Sequence, residues 1–458
     1  MLRTIFQIPL EVGGWPVFGF GLLFWAWLAF SAVLMVWLVR RQGWTADTQS
    51  YLPILAIVAV AIAFVFPRIA EADGLAIRGY GTMLVLATFA ACGLAAYRAR
   101  QIGLDPEVIY SLAFWLFLAG IGGARLFYVI QNYQQFRGES IVETVFKLVN
   151  FAEGGLVVYG SVIAASVAFV AFIAIRRLPA LALLDVIAPS VALALGFGRI
   201  GCFLNGCCFG GVADVPWAGS SPADSPPWEH QVLEGDLYLH GLKFDRTASG
   251  AVIADVEPDS PAAAAGMHTG DRVVAVGERK VESGIDAHAA LVRVYRGGAA
   301  LDVYVAGDEA PRHWTLPVRE WSHPIHPTQL YSSLNGFVLC LLLWAYYPFR
   351  RRDGEVIALL MTLYAITRFV IEIIRTDEGS FAGTGLTISQ NISLGLLALA
   401  VALWITILSR PAGSAFPLSP QAACAGFRSS RTIGPPREYN TLGSSAGAPP
   451  RRRAQVGD

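Results

Sequence analysis

Charge is scarce in this chain. Lys and Arg number 34 and Asp and Glu 34 among 458 residues, against 55% hydrophobic residues and a mean hydropathy of +0.51. That composition excludes an ordinary soluble enzyme. The formal net charge is zero, so no electrostatic footprint for nucleic acid exists and no nucleic-acid partner is expected. Histidine is missing from the first half: all seven lie between His230 and His326, which leaves that half without an imidazole for acid–base chemistry. Cysteine is too sparse for a disulfide scaffold; of Cys92, Cys202, Cys207, Cys208, Cys340 and Cys424 only the middle three cluster. No His-Glu-x-x-His sequence occurs and no serine sits in a Gly-x-Ser-Gly context, which argues against zinc-type and rhomboid-type intramembrane proteases.

Long apolar runs are what the chain has instead. They fall at about Val17–Val39, Tyr51–Phe66, Tyr80–Tyr97, Val108–Val129, Leu156–Ile175, Leu181–Phe203, Thr328–Tyr347, Glu355–Ile374 and Ile388–Leu408. About twenty residues cross a bilayer as a helix, so the fold class is a polytopic α-helical membrane protein of about nine spans. Arg40-Arg41, Arg98 to Arg100, Arg176-Arg177, Arg350 to Arg352 and Arg410 lie at every second junction. The positive-inside rule makes those junctions cytoplasmic and puts the N-terminus and the loops after Gly210 and Arg375 outside. Phe18-Gly-Phe-Gly with Arg41-Gln-Gly-Trp returns about sixty positions later as Arg78-Gly-Tyr-Gly with Gln101-Ile-Gly-Leu, either an internal echo or a chance likeness of two apolar segments.

Three polar constellations interrupt this apolar background. Gly196-Phe-Gly-Arg-Ile-Gly-Cys-Phe-Leu-Asn-Gly-Cys-Cys-Phe-Gly210 closes the sixth run with an arginine, an asparagine and three cysteines. An arginine inside a bilayer costs roughly 2.5 to 3.5 kcal/mol, so Arg199 is either compensated by function or snorkels from a helix end. Ser322-His-Pro-Ile-His-Pro-Thr-Gln-Leu-Tyr331 puts His326, Gln329 and Tyr331 at the outer end of the seventh run. Arg368, Glu372 and Arg375 recur at i, i+4 and i+7, on one helical face. With Arg199 and Arg125 on other helices, these charges point to a buried anion site; a lone Arg–Glu clamp is the plainer alternative.

The chain divides accordingly into two extra N-terminal spans (1–70), a first membrane part (71–210), a Pro/Ser-rich linker (211–236), an insertion (237–317), a second membrane part (318–409) and a Pro, Gly, Ser and Arg tail (410–458) expected to be disordered and cytoplasmic. Short alternating strands, Ala251-Val-Ile-Ala-Asp-Val, Arg272-Val-Val-Ala-Val and Leu301-Asp-Val-Tyr-Val, flank Pro258-Asp-Ser-Pro-Ala-Ala-Ala-Ala-Gly and Gly270-Asp271. This pattern resembles a bacterial PDZ domain, an inserted α/β extracytoplasmic module. The resemblance implies that Gly241, Leu242, Lys243 and Phe244 form a carboxylate-binding loop beside a groove for a peptide or protein ligand; a module that packs on its own membrane domain and binds no peptide is the other reading.

The membrane residues together resemble the prolipoprotein diacylglyceryl transferases of bacterial inner membranes. Arg78-Gly-Tyr-Gly81, Gly123-Ala-Arg-Leu126, Asp185 with Ala188-Pro189, Gly198-Arg-Ile-Gly with Asn205-Gly206 and Gly210, Pro216-Trp217, His326-Pro-Thr-Gln-Leu-Tyr331, and Arg368 with Glu372 and Arg375 occur in that family's order. The resemblance implies a multi-pass inner-membrane enzyme that moves diacylglyceryl from phosphatidylglycerol onto the lipobox cysteine of a prolipoprotein, with no cofactor. Arg199 and Arg368 would bind the phosphate, Glu372 would orient Arg368, and Tyr80 and Asn205 would hydrogen-bond the headgroup. Gly210, Arg125, His326, Gln329, Tyr331 and Arg375 complete the candidate substrate contacts.

One departure bears on mechanism. Where the family commonly carries His-Gly-Gly, and its histidine is the usual candidate base, this chain has Val157-Val-Tyr-Gly-Ser161. A tyrosine in water loses its proton about 3.5 units above histidine, so a tyrosine at this position needs an adjacent arginine to serve as a base. The family's Asn after Arg-x-Gly and a following acidic position are Cys202 and Cys207 here. The substitutions define either a variant working through Tyr159 and Glu372, or a drifted relative that scaffolds phospholipid and lipoprotein or uses another acceptor. No histidine or carboxylate lies at ligand spacing from the three cysteines, so no metal is expected; a disulfide from Cys202 or plain apolar packing are the competing readings.

Overall fold

In a bilayer every backbone N–H and C=O must be satisfied within its own segment, and unbroken runs of Leu, Val, Ile, Phe and Ala do that as helices. The structure, a computed structural model, describes residues 4–70, 74–136, 157–223, 225–245, 248–297, 300–315, 321–376 and 383–416. Among these residues nine helices are long and apolar enough to cross a membrane. They are α1 (Leu22–Gln42), α2 (Ala46–Val60, continuing through one π turn to Ile69), α3 (Gly79–Gln101), α4 (Pro106–Gln131), α5 (Val158–Arg176), α6 (Ala180–Asn205), then α9 (Thr328–Tyr346), α10 (Glu355–Ile373) and α11 (Ile388–Leu408); between α6 and α9 come the shorter α7 (Pro226–Glu234) and α8 (Gly284–Gly297), and a single turn at Pro261–Ala264. The polytopic helical class is therefore as the apolar runs predict.

Helix α6 is the axis of the bundle. Half of its most apolar stretch is buried, and α3, α9 and α10 all pack on it. Its close approach to α9 depends on two glycines: a Cβ on Gly336 would stand 2.7 Å from the backbone nitrogen of Gly196. Between α4 and α5 the backbones touch in the same way, since a Cβ on Gly160 would lie 2.3 Å from the carbonyl oxygen of Gly123. Small residues at such crossings let apolar helices gain dispersion contact where no hydrophobic drive between them exists.

One end of the bundle is tied by its arginines. Asp185 is fully buried near the start of α6 and accepts from the backbone nitrogens of Gly354 (2.7 Å), Val356 and Ile357 (both 3.0 Å), with Arg350 Nε 3.6 Å away. It thus caps α10 from a neighbouring helix, satisfying N-terminal donors and complementing the helix dipole. Arg98 stacks over Trp344 (3.5 Å) and Tyr347 (4.3 Å), and Arg350 covers Tyr347 at 3.7 Å.

The chain just after Arg410 corrects the expectation of a disordered tail starting there. Arg350 donates to Ser414 Oγ and to the Phe416 carbonyl, while Asp353 accepts from Ser414 Oγ and the Ala415 nitrogen. These short polar residues find fixed partners on the α9–α10 turn. The rest of that tail, from 417 on, lies outside the described residues.

The opposite end carries the insertion. A sheet of six strands is ordered β6–β5–β3–β2–β1, with β4 paired to β3, where β1 is Leu242–Phe244, β2 Ala251–Val256, β3 Arg272–Val276, β4 Arg279–Lys280, β5 Leu301–Val305 and β6 Arg312–Trp314. Helix α8 packs on β1, β2 and β3. The Pro/Ser-rich segment 211–236 is not a loose linker. Its backbone pairs with the returning chain, Ala213 N to Pro324 O (2.9 Å), Gly219 N to Ile325 O (3.2 Å) and Ser322 N to Ser221 O (2.8 Å), and the Gln231 amide clasps the backbone of His323 on both sides. Helix α7 puts Trp228 and Val232 into the insertion's core beside Leu237, Leu242 and Leu291. Proline and serine set the composition of this stretch, while two apolar residues on one helical turn and pairing with a distant strand set its structure.

Candidate active site

Helices α6, α9 and α10 converge next to the insertion, and a narrow cleft opens between them, lined by Arg199, Arg368, Tyr364, Asn335, Ser332 and Leu195 among others. Each polar group is there for a local reason. Arg199 is the last charge before α6 ends, held at the apolar–polar edge by the long hydrophobic helix behind it. Arg368 stands one turn before Glu372 on α10, and their side chains form an ion pair of 2.5 Å, with Arg368 also donating to Ser389 Oγ at 2.9 Å. Glu372 is buried and shared: its second oxygen accepts from Thr387 Oγ1 (3.2 Å), and Arg375 lies 3.1 Å from the first. The Thr387 hydroxyl is also the N-cap of α11, so helix start and carboxylate orientation are fixed together.

Arg375 arrives by a different route from the one the i, i+7 spacing predicts. Helix α10 ends at Ile373, because Gly211 N takes the Ile374 carbonyl and Arg375 forms an isolated bridge with Gly210. The guanidinium still reaches Glu372, now from the non-helical side. Two guanidinium groups thus hold one carboxylate, and a third, Arg199, acts on Arg368 and Arg375 by its charge. Such an excess of fixed positive charge in a partly buried cleft calls for an anionic ligand.

The other sequence candidates divide clearly. His326 and Gly210 are adjacent: Gly210 N donates to His326 O at 3.0 Å. Tyr331 Oη lies 3.2 Å from His326 Nδ1 and accepts from Trp217 Nε1 at 2.6 Å, which links the stalk of the insertion, residues 211–222, to α9. Gln329 Nε2 donates to Cys207 O (2.8 Å) and Thr328 Oγ1 to Cys208 O (2.7 Å), so both hold the loop after α6. Tyr80 covers the same region, with Gly201 packed beneath its ring. Arg125 does not line the cleft; it is buried among its own neighbours, over Tyr128 at 5.6 Å and Phe136 at 5.2 Å. Tyr159 is 48% exposed in the first turn of α5 and is not among the cleft's lining residues. Gly160, one position on from Tyr159, packs against Gly123 of α4.

Tyr364, Asn335 and Ser332 were not among the sequence candidates. Tyr364 precedes Arg368 by four residues, and that helical spacing is the signal that places it on the same face.

Cys202, Cys207 and Cys208 are free thiols, each half-buried, with their three sulfurs all within 4.8 Å of one another. Asn205 lies against Cys207, at the end of α6. In the insertion, Leu242 and Phe244 are buried, Leu242 N donates to Leu239 O, and Gly241 O accepts from Glu257 N, so part of the loop Gly241 to Phe244 spends its backbone internally. Lys243 stands over Tyr238 at 4.2 Å. His240 beside this loop is buried, and desolvation pushes its imidazole down to about 4.

The fold and cleft define a class: a polytopic membrane protein whose glycine-rich helix ends gather arginines around a single carboxylate next to an inserted sheet domain. The family model for prolipoprotein diacylglyceryl transferase matches residues 67–406, and the chain belongs to that family. It is 33% identical over 437 residues to the phosphatidylglycerol–prolipoprotein diacylglyceryl transferase of Rhodopirellula baltica, covering 87% of each chain. Proteins with that same name from Clostridium tetani (25% identical, 73% of this chain and 95% of the relative) and Synechococcus elongatus (32% identical, 38% of this chain and 58% of the relative) are also similar to it.

Proposed function

We infer that this chain transfers the diacylglyceryl group of phosphatidylglycerol to the lipobox cysteine of a prolipoprotein, as a membrane enzyme of lipoprotein maturation. The observation that carries the reading is the cleft between α6 and α10, lined by Arg199 and Arg368, with Glu372 and Arg375 paired behind Arg368. In the reaction the acceptor thiolate sulfur bonds to the glyceryl carbon, the carbon–oxygen bond to phosphate breaks, and glycerol phosphate leaves with that electron pair. The charge developing on the departing phosphate needs preorganised donors. Arg199 and Arg368 supply planar guanidinium groups that match phosphate oxygens, and Glu372 fixes Arg368 in place before substrate arrives.

The thiol proton needs an acceptor. Glu372 serves poorly, because Arg368, Arg375 and Thr387 already engage both its oxygens. We place the role on Tyr364, which shares the cleft with Arg199 and Arg368 and so meets the condition that a tyrosine base requires. We assign Tyr80, Asn205 and the His326–Tyr331 pair, around the end of α6 and the start of α9, as contacts for the headgroup and lipobox. Arg125 has a packing role in this scheme.

The arginine-rich end of the bundle faces the cytoplasm and the insertion faces outside, following the loop charges. The insertion is PDZ-like, and its buried Leu242 and Phe244 favour a module that orients the stalk and cleft mouth over one that captures free peptide carboxylates. Transfer of labelled diacylglyceryl from phosphatidylglycerol to a lipobox peptide by the purified full chain tests the reading. A product carrying the label on the peptide cysteine supports it. Absence of transfer with phospholipid still bound would turn the chain into a lipid-binding scaffold.

A further inference from the structure

The three clustered thiols have no part in that chemistry, yet the fold invests in bringing them together. Helix α6 ends at Asn205; Gly206 then adopts a left-handed conformation, φ +85°, and the nitrogens of Gly206 and Cys207 both return to the carbonyl of Cys202. The reversal folds Cys207 back over Cys202. Cys208 follows with φ +61°, a conformation that costs a non-glycine residue on the order of 1 to 3 kcal/mol and persists only where its surroundings impose it. Two side chains of α9 impose it: Thr328 takes the Cys208 carbonyl and Gln329 the Cys207 carbonyl, leaving both sulfurs directed by a backbone that is pinned from behind.

All three sulfurs lie within 4.8 Å of one another. Three thiolates around one zinc ion, at a bond length of about 2.3 Å, stand about 4 Å apart, so closure takes less than about 1 Å of sulfur movement. A disulfide needs two sulfurs and a packing role needs none to converge; three on one point match a metal. Three thiolates around a divalent ion leave one net negative charge, and Arg199 is a cation within electrostatic reach of Cys208 and Cys202. All-sulfur donors select a thiophilic d10 ion over magnesium or calcium.

We propose that Cys202, Cys207 and Cys208 form a binding site for one zinc ion or a comparable thiophilic cation, at the end of α6 beside the anion cleft. The ion ties the α6 terminus to the loop that carries Gly210. Each thiol gives up its proton on binding, and no oxidant is involved.

The test uses the full chain in lipid nanodiscs, reduced and freed of metal under anaerobic conditions, then titrated with zinc alone against a chromophoric chelator. The expected result is one equivalent per chain, with affinity lowered at least tenfold in each of Cys202→Ser, Cys207→Ser and Cys208→Ser and unchanged in Cys92→Ser and Cys340→Ser. Thiol alkylation counted by mass spectrometry gives a readout on the unmutated chain, should a variant fold poorly: zinc protects the three thiols and leaves Cys92 and Cys340 as they were. Absence of a one-equivalent step, or protection that ignores these thiols, overturns the proposal. So does a bridge between two of them in protein alkylated directly from cells under acid quench.

Discussion

Glu372 Oε2 stands 2.5 Å from Arg368 Nη1, one helical turn apart on α10, and the carboxylate is buried. Removing one partner of such a pair leaves an uncompensated charge in a place that cannot solvate it, at a cost of about 3 to 5 kcal/mol. Here the neighbours are Arg375 and Arg199, so loss of the carboxylate also releases repulsion among cations. Glu372→Gln is expected to lower diacylglyceryl transfer by about a hundredfold, by analogy with loss of an electrostatic positioning group. Phosphatidylglycerol binding falls far less, because the phosphate then serves as the sole counter-ion. Parallel transfer assays and lipid-binding measurements on the same preparation check it; equal loss of both would show that Glu372 holds the fold and not the reaction.

The two tyrosines separate the expectation from sequence and the placement in the structure. Tyr364 lines the arginine cleft, whereas Tyr159 is half exposed on α5. Tyr364→Phe removes only a hydroxyl and is expected to reduce turnover about 10²-fold or more, the range of a general base. Tyr159→Phe is expected to stay within about threefold of the unmutated chain. Rates for the two variants over a pH series check this, and a reversed order would return the base to Tyr159.

Much of this site is legible from residue chemistry. Arg199, Arg368 and Glu372 stand out because charge is otherwise so rare in the spans, and helical spacing puts two of them together. Tyr364 escaped because a tyrosine in an apolar helix carries no signal until a neighbouring helix brings Arg199 against it. Arg125 lies off the cleft for the matching reason: a membrane arginine announces a partner without saying which, and Arg125 sits over Tyr128 and Phe136. The stalk at 211–222 was hidden because its hydrogen bonds run to 321–326, about a hundred residues away, beyond any local pattern.

Asp185 belongs to the framework and not to the chemistry. Its carboxylate takes three backbone N–H groups of the α10 start and faces Arg350. Asp185→Asn keeps one acceptor oxygen, brings two donors into a site that already supplies donors, and strips Arg350 of its counter-charge. A loss of about 2 to 4 kcal/mol is expected. The apparent melting temperature in detergent should fall clearly, while transfer per folded molecule at low temperature stays near normal. A variant with unchanged melting but lost activity would move Asp185 into the catalytic machinery.

The insertion carries a pH dependence of its own. Burial holds His240 neutral in the folded domain, its pKa down from 6.5 to about 4. Between those values the unfolded chain binds a proton that the folded one does not, so the folded form loses ground as pH falls. The stabilisation is fully present above about pH 6.5 and lost progressively as pH drops toward 4, to a limit of about 3 kcal/mol for this one group. Hydrogen exchange on the full chain, corrected for the intrinsic pH dependence of exchange, is expected to show protection of β1 and α8 weakening between pH 6.5 and 4.5, and His240→Gln to flatten that slope. The anion cleft lies on other elements and contains no histidine among its lining residues, so protection along α6 and α10 should change little over the same range. A uniform loss across insertion and bundle would instead mean that the two unfold as one unit through their paired stalk.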